Sequence, residues 1–319
     1  MLHEDEVPWH NALISGWILD PDRKKMSKSK GNVTTPLPLI EKYGADAARY
    51  WAASARLGSD TAFDEAVFGI GKKLYTKIFN VAKLVLSYEG ETSPITSELD
   101  RAFVAKLSAL VDSATTHFEA YQYAQALQET ERFFWTHFTD TYAELTKNRA
   151  RAFEEDSAAS GSAIAALRLG LSTLLRLFAP TLPYITEEVW SWAFADDFAP
   201  EGDAAARSIH GAAWPAAADF EGTDAPADER SFDTAVAALA AINKAKADAE
   251  VSMGREVETL TLATDAGTLA TLERVAEDVL AAARVAEHRF VVDETLEAGT
   301  FAVQDVVFAP KPEKKPAKD

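Results

Sequence analysis

Across most of this 319-residue chain apolar positions recur every three or four residues, the spacing of helices that bury one face. The clearest run opens at Phe63-Asp64-Glu65 and lasts to about Tyr88, with acids in the first turn, where the helix dipole favours them. Val67, Ile70, Leu74, Ile78, Val81 and Val85 form its predicted stripe. Lys72, Lys73, Lys77 and Lys83 fall on the other side, within a sector of roughly 140°. Two more helices are predicted over about 98–120 and 123–153. The second carries Leu127, Phe134, Phe138 and Leu145 on one stripe, widened by Phe133, Trp135 and Tyr142, which reads as core between packed helices. Its closing Lys147, Arg149 and Arg151 suit a helix C-terminus by charge. A polar loop is expected over 154–162, then an apolar helix over 164–178 stopped near Pro180, then a helix starting on Pro183. Residues 61–195 therefore read as an antiparallel helical bundle, and the chain as mainly α.

The flanks are less regular. Residues 7–19 read as extended and mostly buried, with a bend at Gly16. Thr34-Thr35-Pro36 predicts a helix start with hydroxyl caps, and Gly44 a C-cap that ends it. An alanine-rich helix follows over 45–56, with Tyr50, Trp51 and Leu57 as its large apolar groups. Beyond the bundle, 196–230 is rich in Ala, Asp, Gly and Pro and reads as an irregular connection docked through Trp214. A helix over 232–249, a strand over 257–263, a helix over 265–283 and strands over 288–292 and 301–308 predict a small α+β module spanning 231–309. Residues 310–319 have little to bury and read as a disordered tail.

Composition sharpens this picture in two ways. The chain has no cysteine, so disulfides and thiolate metal sites are excluded, and no zinc is expected. No apolar run reaches the ~18 residues of a membrane span, and the first residues lack a signal-peptide pattern, so no membrane partner and a cytoplasmic location are expected. The net charge of −18 argues against indiscriminate nucleic-acid binding. Its distribution matters more. Residues 1–90 hold 12 Lys+Arg against 11 Asp+Glu, whereas the remainder holds 20 against 39.

The local basic surface that survives centres on Arg23-Lys24-Lys25-Met26-Ser27-Lys28-Ser29-Lys30-Gly31-Asn32. Ammonium groups this dense stay in water unless paired, so the segment is a loop and not core. Lysines, hydroxyls and a glycine that lets backbone approach closely suit a mobile loop closing on phosphates.

Residues 25–29 resemble, letter for letter, the KMSKS signature of class I aminoacyl-tRNA synthetases. Gly31-Asn32 follow as in the valine, isoleucine and leucine members. Residues 43–51, Tyr-Gly-Ala-Asp-Ala-Ala-Arg-Tyr-Trp, resemble the helix behind the signature, and Arg56-Leu57-Gly58-Ser59-Asp60 is similar to the valine branch more than the isoleucine one. Residues 77–85, Phe133-Phe134-Trp135 with Phe138, Asp140, Tyr142 and Glu144, and 177–190 resemble the anticodon-domain helices of that branch. The likeness covers about 7–195 and continues more weakly to about 308.

The resemblance implies that residues 1–60 are the end of a class I nucleotide-binding catalytic domain and 61–195 an anticodon-binding bundle. The activity implied is ATP-dependent activation of valine and its transfer to the tRNA for valine. Lys28, assisted by Lys25, is then the residue expected to contact the ATP phosphates, with Met26, Ser27 and Ser29 in the same ATP-binding loop. Mg²⁺ enters with ATP. The Lys72, Lys73, Lys77 and Lys83 face is the expected phosphate track for tRNA, and the full-length enzyme is expected to be a monomer. These 319 residues carry no His-x-Gly-His motif, amino-acid pocket or editing insertion. The chain is therefore expected to be the C-terminal third of such an enzyme, meeting valine and ATP through the remainder and inactive alone. An isoleucine enzyme and a non-catalytic tRNA-binding protein are the competing readings.

Overall fold

A computed structural model describes residues 9–197 and 207–310, so the expected tail from 311 onward lies outside the described residues. The chain divides into two compact units. One holds Met1–Leu86, Leu110–Phe134 and Leu171–Ala216, the other Ser87–Ala109, Trp135–Gly170 and Ala217–Asp319.

In the first unit, short parallel strands β1 (Ile18–Leu19) and β2 (Thr61–Ala62) pair beside α1 (Leu37–Tyr43), α2 (Ala45–Ala53) and α3 (Glu65–Val85). Residues 9–17 are not the buried extended segment expected: Trp9, Leu13, Ile14 and Trp17 are all more than half exposed. Gly16 acts by close approach, since a Cβ there would lie 2.1 Å from the Ser59 carbonyl oxygen. The threonines do not cap α1; Pro36 occupies that position without a side-chain hydrogen bond, and Gly44 ends the helix as expected. Leu39, Ala47 and Phe68 form the local core, against which Tyr43, Trp51, Phe63 and Tyr75 pack. The Trp51 and Phe68 rings stack 5.4 Å apart.

Helix α3 starts where Asp64 accepts the Ala66 N–H. Its buried side is Phe68, Gly71, Leu74, Ile78, Val81, Ala82 and Val85, so the predicted stripe holds from Leu74 onward, while Val67 is only half-buried and Ile70 is 46% exposed. Ile70 yields because Phe68 and the small Gly71 face α2, where a Cβ on Gly71 would meet the Tyr50 side chain at 2.9 Å. Helix α8 (Pro183–Ala193) is capped from outside: Asp46 of α2 accepts the N–H groups of Tyr184 and Ile185. Arg49 donates to the Pro180 and Thr181 carbonyls just before it. Trp214 docks as expected, its indole N–H 2.9 Å from the Thr115 hydroxyl and its ring on Phe118.

Four helical stretches follow in the middle of the chain: α4 (Glu98–Glu119), α5 (Tyr123–Phe133), α6 (Ala143–Arg151) and α7 (Ser157–Phe178). Between α5 and α6 the helix widens to a π-helix over Phe134–Tyr142, which periodicity did not predict. At about 100° per residue Phe133, Phe134, Phe138 and Tyr142 would spread over half the circumference, and a wider turn gathers them. All four are buried. The polar loop expected over 154–162 is largely helix: Asp156 accepts the Ala158 and Ala159 N–H groups, α7 begins at Ser157, and Ser160 and Ser162 are buried. Helix α7 is long and apolar enough to cross a membrane, yet 72% of its apolar window is buried inside the protein.

In the second unit, α9 (Ser231–Asp248) precedes a three-stranded sheet of order β4-β3-β5. Its centre, β3 (Val257–Thr264), pairs parallel with β4 (Val285–Val292) and antiparallel with β5 (Ala302–Phe308). Leu260 to Thr264 are buried without a break, as a central strand covered on both faces requires. The single helix expected over 265–283 is two, α10 (Ala266–Leu272) and α11 (Ala276–Ala283). Hydrogen bonds from Arg274 to Thr271 and Val275 to Leu272 tighten the join and bury both Leu272 and Val275. Arg149 lies in the last turn of α6, as its charge suggested. Its side chain, 12% exposed, also reaches between Asp100 and Asp278.

Candidate functional site

The basic loop is closed by its own side chains. Leu19 bridges to Lys25, and the Met26 N–H donates to the Ile18 carbonyl. Asp20 accepts the Lys24 N–H through Oδ1 and the Asn32 amide through Oδ2, both at 2.8 Å. Asn32 in turn accepts the Ser27 N–H and donates to the Lys25 carbonyl. The Lys24 N–H, then the Asn32 amide, hold the Asp20 carboxyl below the usual carboxylate range. Two residues twelve positions apart thus fix both ends of the lysine loop, and Lys28–Lys30 sit at its tip in a single 3₁₀ turn ended by Gly31 at φ +69°.

Of the five residues expected to bind ATP, Met26, Ser27 and Lys28 line one cavity of about 780 Å³. Its floor is apolar, with Ile18, Leu39, Trp51 and Phe68 among its walls, and Arg49 adds a second positive group. Ser29 is held to Ser27, hydroxyl to hydroxyl, at 3.2 Å. Lys25 turns away: its ammonium lies 3.1 Å from the centre of the Trp17 ring, a cation–π contact at an exposed site. Asp20 and Trp17 were not legible as parts of this loop, because neither a carboxylate nor an exposed indole belongs to phosphate chemistry. Among the described residues, no group of three or more His, Cys, Asp or Glu could hold a metal ion.

On α3, Lys72, Lys73 and Lys83 are exposed and Lys77 is half-buried. Lys72 is tethered to the Lys42 carbonyl, and the Lys83 ammonium lies 5.6 Å from the Phe79 ring centre. Phe79 itself meets Trp192 of α8 edge to face at 5.4 Å, with both rings more than a third exposed. The Trp192 indole N–H donates to Glu188. A basic helix face with an aromatic pair in it offers both phosphate neutralisation and a stacking surface. Sequence reading missed this pair, because the two rings come from helices more than a hundred residues apart.

The model for the anticodon-binding domain of tRNA ligase matches residues 100–261, and that for tRNA synthetases class I (I, L, M and V) matches residues 1–64. The chain belongs to the anticodon-binding-domain family of tRNA ligases. Within that class it is similar to valine–tRNA ligases. It is 47% identical over 301 residues to that of Salinispora tropica, covering 88% of this chain and 34% of the relative. It is 46% identical over 311 residues to that of Thermobifida fusca, covering 96% and 33%. The Leifsonia xyli subsp. xyli protein is 43% identical over 323 residues, covering 98% and 35%. The chain thus spans about a third of the length of the curated relatives it matches.

Proposed function

We propose that this chain works as the C-terminal portion of a valine–tRNA ligase, holding the anticodon arm of the tRNA for valine and presenting the loop that contacts ATP. The observation that carries this reading is identity of 43–47% to valine–tRNA ligases over most of the chain. The pinned lysine loop supports the second half of it.

Valine activation is in-line displacement at the α-phosphate of ATP with pyrophosphate leaving. Negative charge gathers in that transition state, so the protein contributes position and charge more than covalent chemistry. Lys28, which lines the cavity, meets the phosphates with its ammonium, and Ser27 with a hydroxyl. Ser29 orients Ser27. Lys25, which rests on the Trp17 ring, leaves it to assist. Mg²⁺ arrives with ATP as part of the substrate. The anticodon arm lies along the Lys72, Lys73, Lys77 and Lys83 face, and the enzyme acts as a cytoplasmic monomer.

The test places this chain in the Thermobifida fusca valine–tRNA ligase in exchange for its matching part. Valine-dependent ATP–pyrophosphate exchange by the chimera is the expected result, with none from the 319 residues alone. The same chain should retain the tRNA for valine over the tRNA for isoleucine in a binding assay. A chimera that activates isoleucine, or a chain indifferent to the two tRNAs, refutes the reading.

A further inference from the structure

A second, smaller cleft lies where α2 meets α5, with a volume of about 340 Å³. Its polar walls are Tyr50 of α2, Ser54 and Arg56 just beyond that helix, and Gln125, Gln128 and Glu131 from one side of α5. Three features separate it from an ordinary surface groove. The Tyr50 hydroxyl donates to Oε2 of Glu131 at 2.6 Å, which fixes that carboxylate and leaves Oε1 open as an acceptor. The Gln125 Oε1 is buried with no hydrogen-bond partner, and exchanging the amide's two ends would leave a buried donor in its place. Among the described residues the exposed Arg56 guanidinium has no partner either, although it lines the same cleft.

A buried amide oxygen without a donor costs about 1–3 kcal/mol, so a native protein keeps one where something else supplies the donor. The cleft therefore asks for a ligand that donates hydrogen bonds to two acceptors on α5 and presents an anion to Arg56. A ribose hydroxyl pair with a phosphate meets that demand: carboxylates accept from ribose hydroxyls, and guanidinium matches phosphate oxygens. A cleft of this volume is at the lower end of small-ligand sites, enough for a single nucleotide and not for a helix or a peptide strand.

We propose that the cleft formed by Tyr50, Arg56, Gln125 and Glu131 binds one ribonucleotide unit, with Glu131 and Gln125 accepting from the ribose hydroxyls and Arg56 holding the phosphate. If the unit belongs to an unpaired nucleotide of tRNA, whose 3′ oxygen is esterified, the donors are its 2′ hydroxyl and a base N–H, and the site deepens the proposed function and rests on it; a free nucleotide offers both ribose hydroxyls.

The test titrates the full chain with AMP and dAMP by calorimetry, and with the tRNA for valine by fluorescence anisotropy, in the wild type and in Arg56→Ala and Glu131→Gln. Arg56 is exposed and Glu131→Gln keeps the side-chain shape, so both variants should show the wild-type circular dichroism melt. AMP should bind about tenfold more tightly than dAMP, and each substitution should weaken AMP binding about tenfold, the loss of one charge-assisted hydrogen bond. A matching loss for tRNA assigns the nucleotide to tRNA. Unchanged tRNA affinity with weakened AMP binding assigns the site to a free nucleotide. A wild type that binds AMP but no tRNA supports the cleft and sinks the proposed function. Wild-type tRNA affinity in both variants, with no AMP binding, overturns the inference.

Discussion

Arg149 sets two guanidinium nitrogens against the two oxygens of Asp100, at 2.8 and 2.7 Å, and its Nε and second face against Asp278 at 2.9 and 3.0 Å. Asp100 also accepts from the Tyr142 and Ser162 hydroxyls, and its side chain is wholly buried. Helices α4, α6, α7 and α11 thus share one charge cluster. Removing the guanidinium leaves two buried carboxylates without compensation. Arg149→Met should cost about 3–5 kcal/mol, the usual penalty for breaking one side of a buried pair. Urea unfolding followed by circular dichroism measures it, and a loss below about 1 kcal/mol would show that water reaches the site.

Gly170 faces a different constraint. A Cβ there would lie 2.9 Å from a Phe138 ring carbon and 3.0 Å from Phe103. Phe103 cannot retreat, because it is stacked on Tyr142 at 3.9 Å and fully buried. Alanine gains about 1 kcal/mol of helix propensity over glycine, while overpacking of this kind costs about 1–3 kcal/mol. Gly170→Ala should therefore lower the thermal midpoint despite the better helix former; a rise would mean the rings shift freely.

Acid should loosen the lysine loop. The Asp20 carboxyl is held below its usual range by the Lys24 N–H and the Asn32 amide, so the unfolded chain binds its proton more readily than the folded one. This contribution is fully present above about pH 4, the unfolded value, and is lost as pH falls through the folded one. Trp17 fluorescence, read through the Lys25 contact, should change below that pH in the wild type and lose the transition in Asp20→Asn.

In the Thermobifida chimera, Lys28→Ala should slow adenylate formation about a hundredfold or more while leaving valine affinity within a few-fold, since the charge acts on the transition state. Pre-steady-state activation separates the two. Equal losses in both would remove Lys28 from its proposed role.

The triple change Lys72→Ala, Lys73→Ala, Lys83→Ala should flatten the dependence of log affinity for tRNA on log salt by about one for each phosphate no longer neutralised. An unchanged slope returns these lysines to an ordinary solvated face.

Much of the fold was readable from spacing alone. Helices α3, α4, α8 and α9 and the three strands of the module follow from apolar period and caps. The failures share a cause: local pattern cannot see a tertiary partner. Ser160 and Ser162 read as loop because their burial depends on Ala150 and Asp100, ten and sixty-two residues away. Arg149 is the helix-end charge its position suggested, but its carboxylate partners on α4 and α11 were hidden for the same reason. The exposed apolar stretch 9–17 read as buried because hydrophobicity was its only local signal. At the candidate site, the signature letters located the loop, while the Asp20–Asn32 tie was visible only in three dimensions.

That tie has a practical side. Since Asp20 and Asn32 close the loop between themselves and Ile18 and Leu19 pair with its start, its shape is written within fifteen consecutive residues, from 18 to 32. Such a segment is portable: a cyclic peptide of that stretch should keep the turn at its tip, giving a minimal scaffold on which triphosphate capture by lysines can be studied apart from any enzyme.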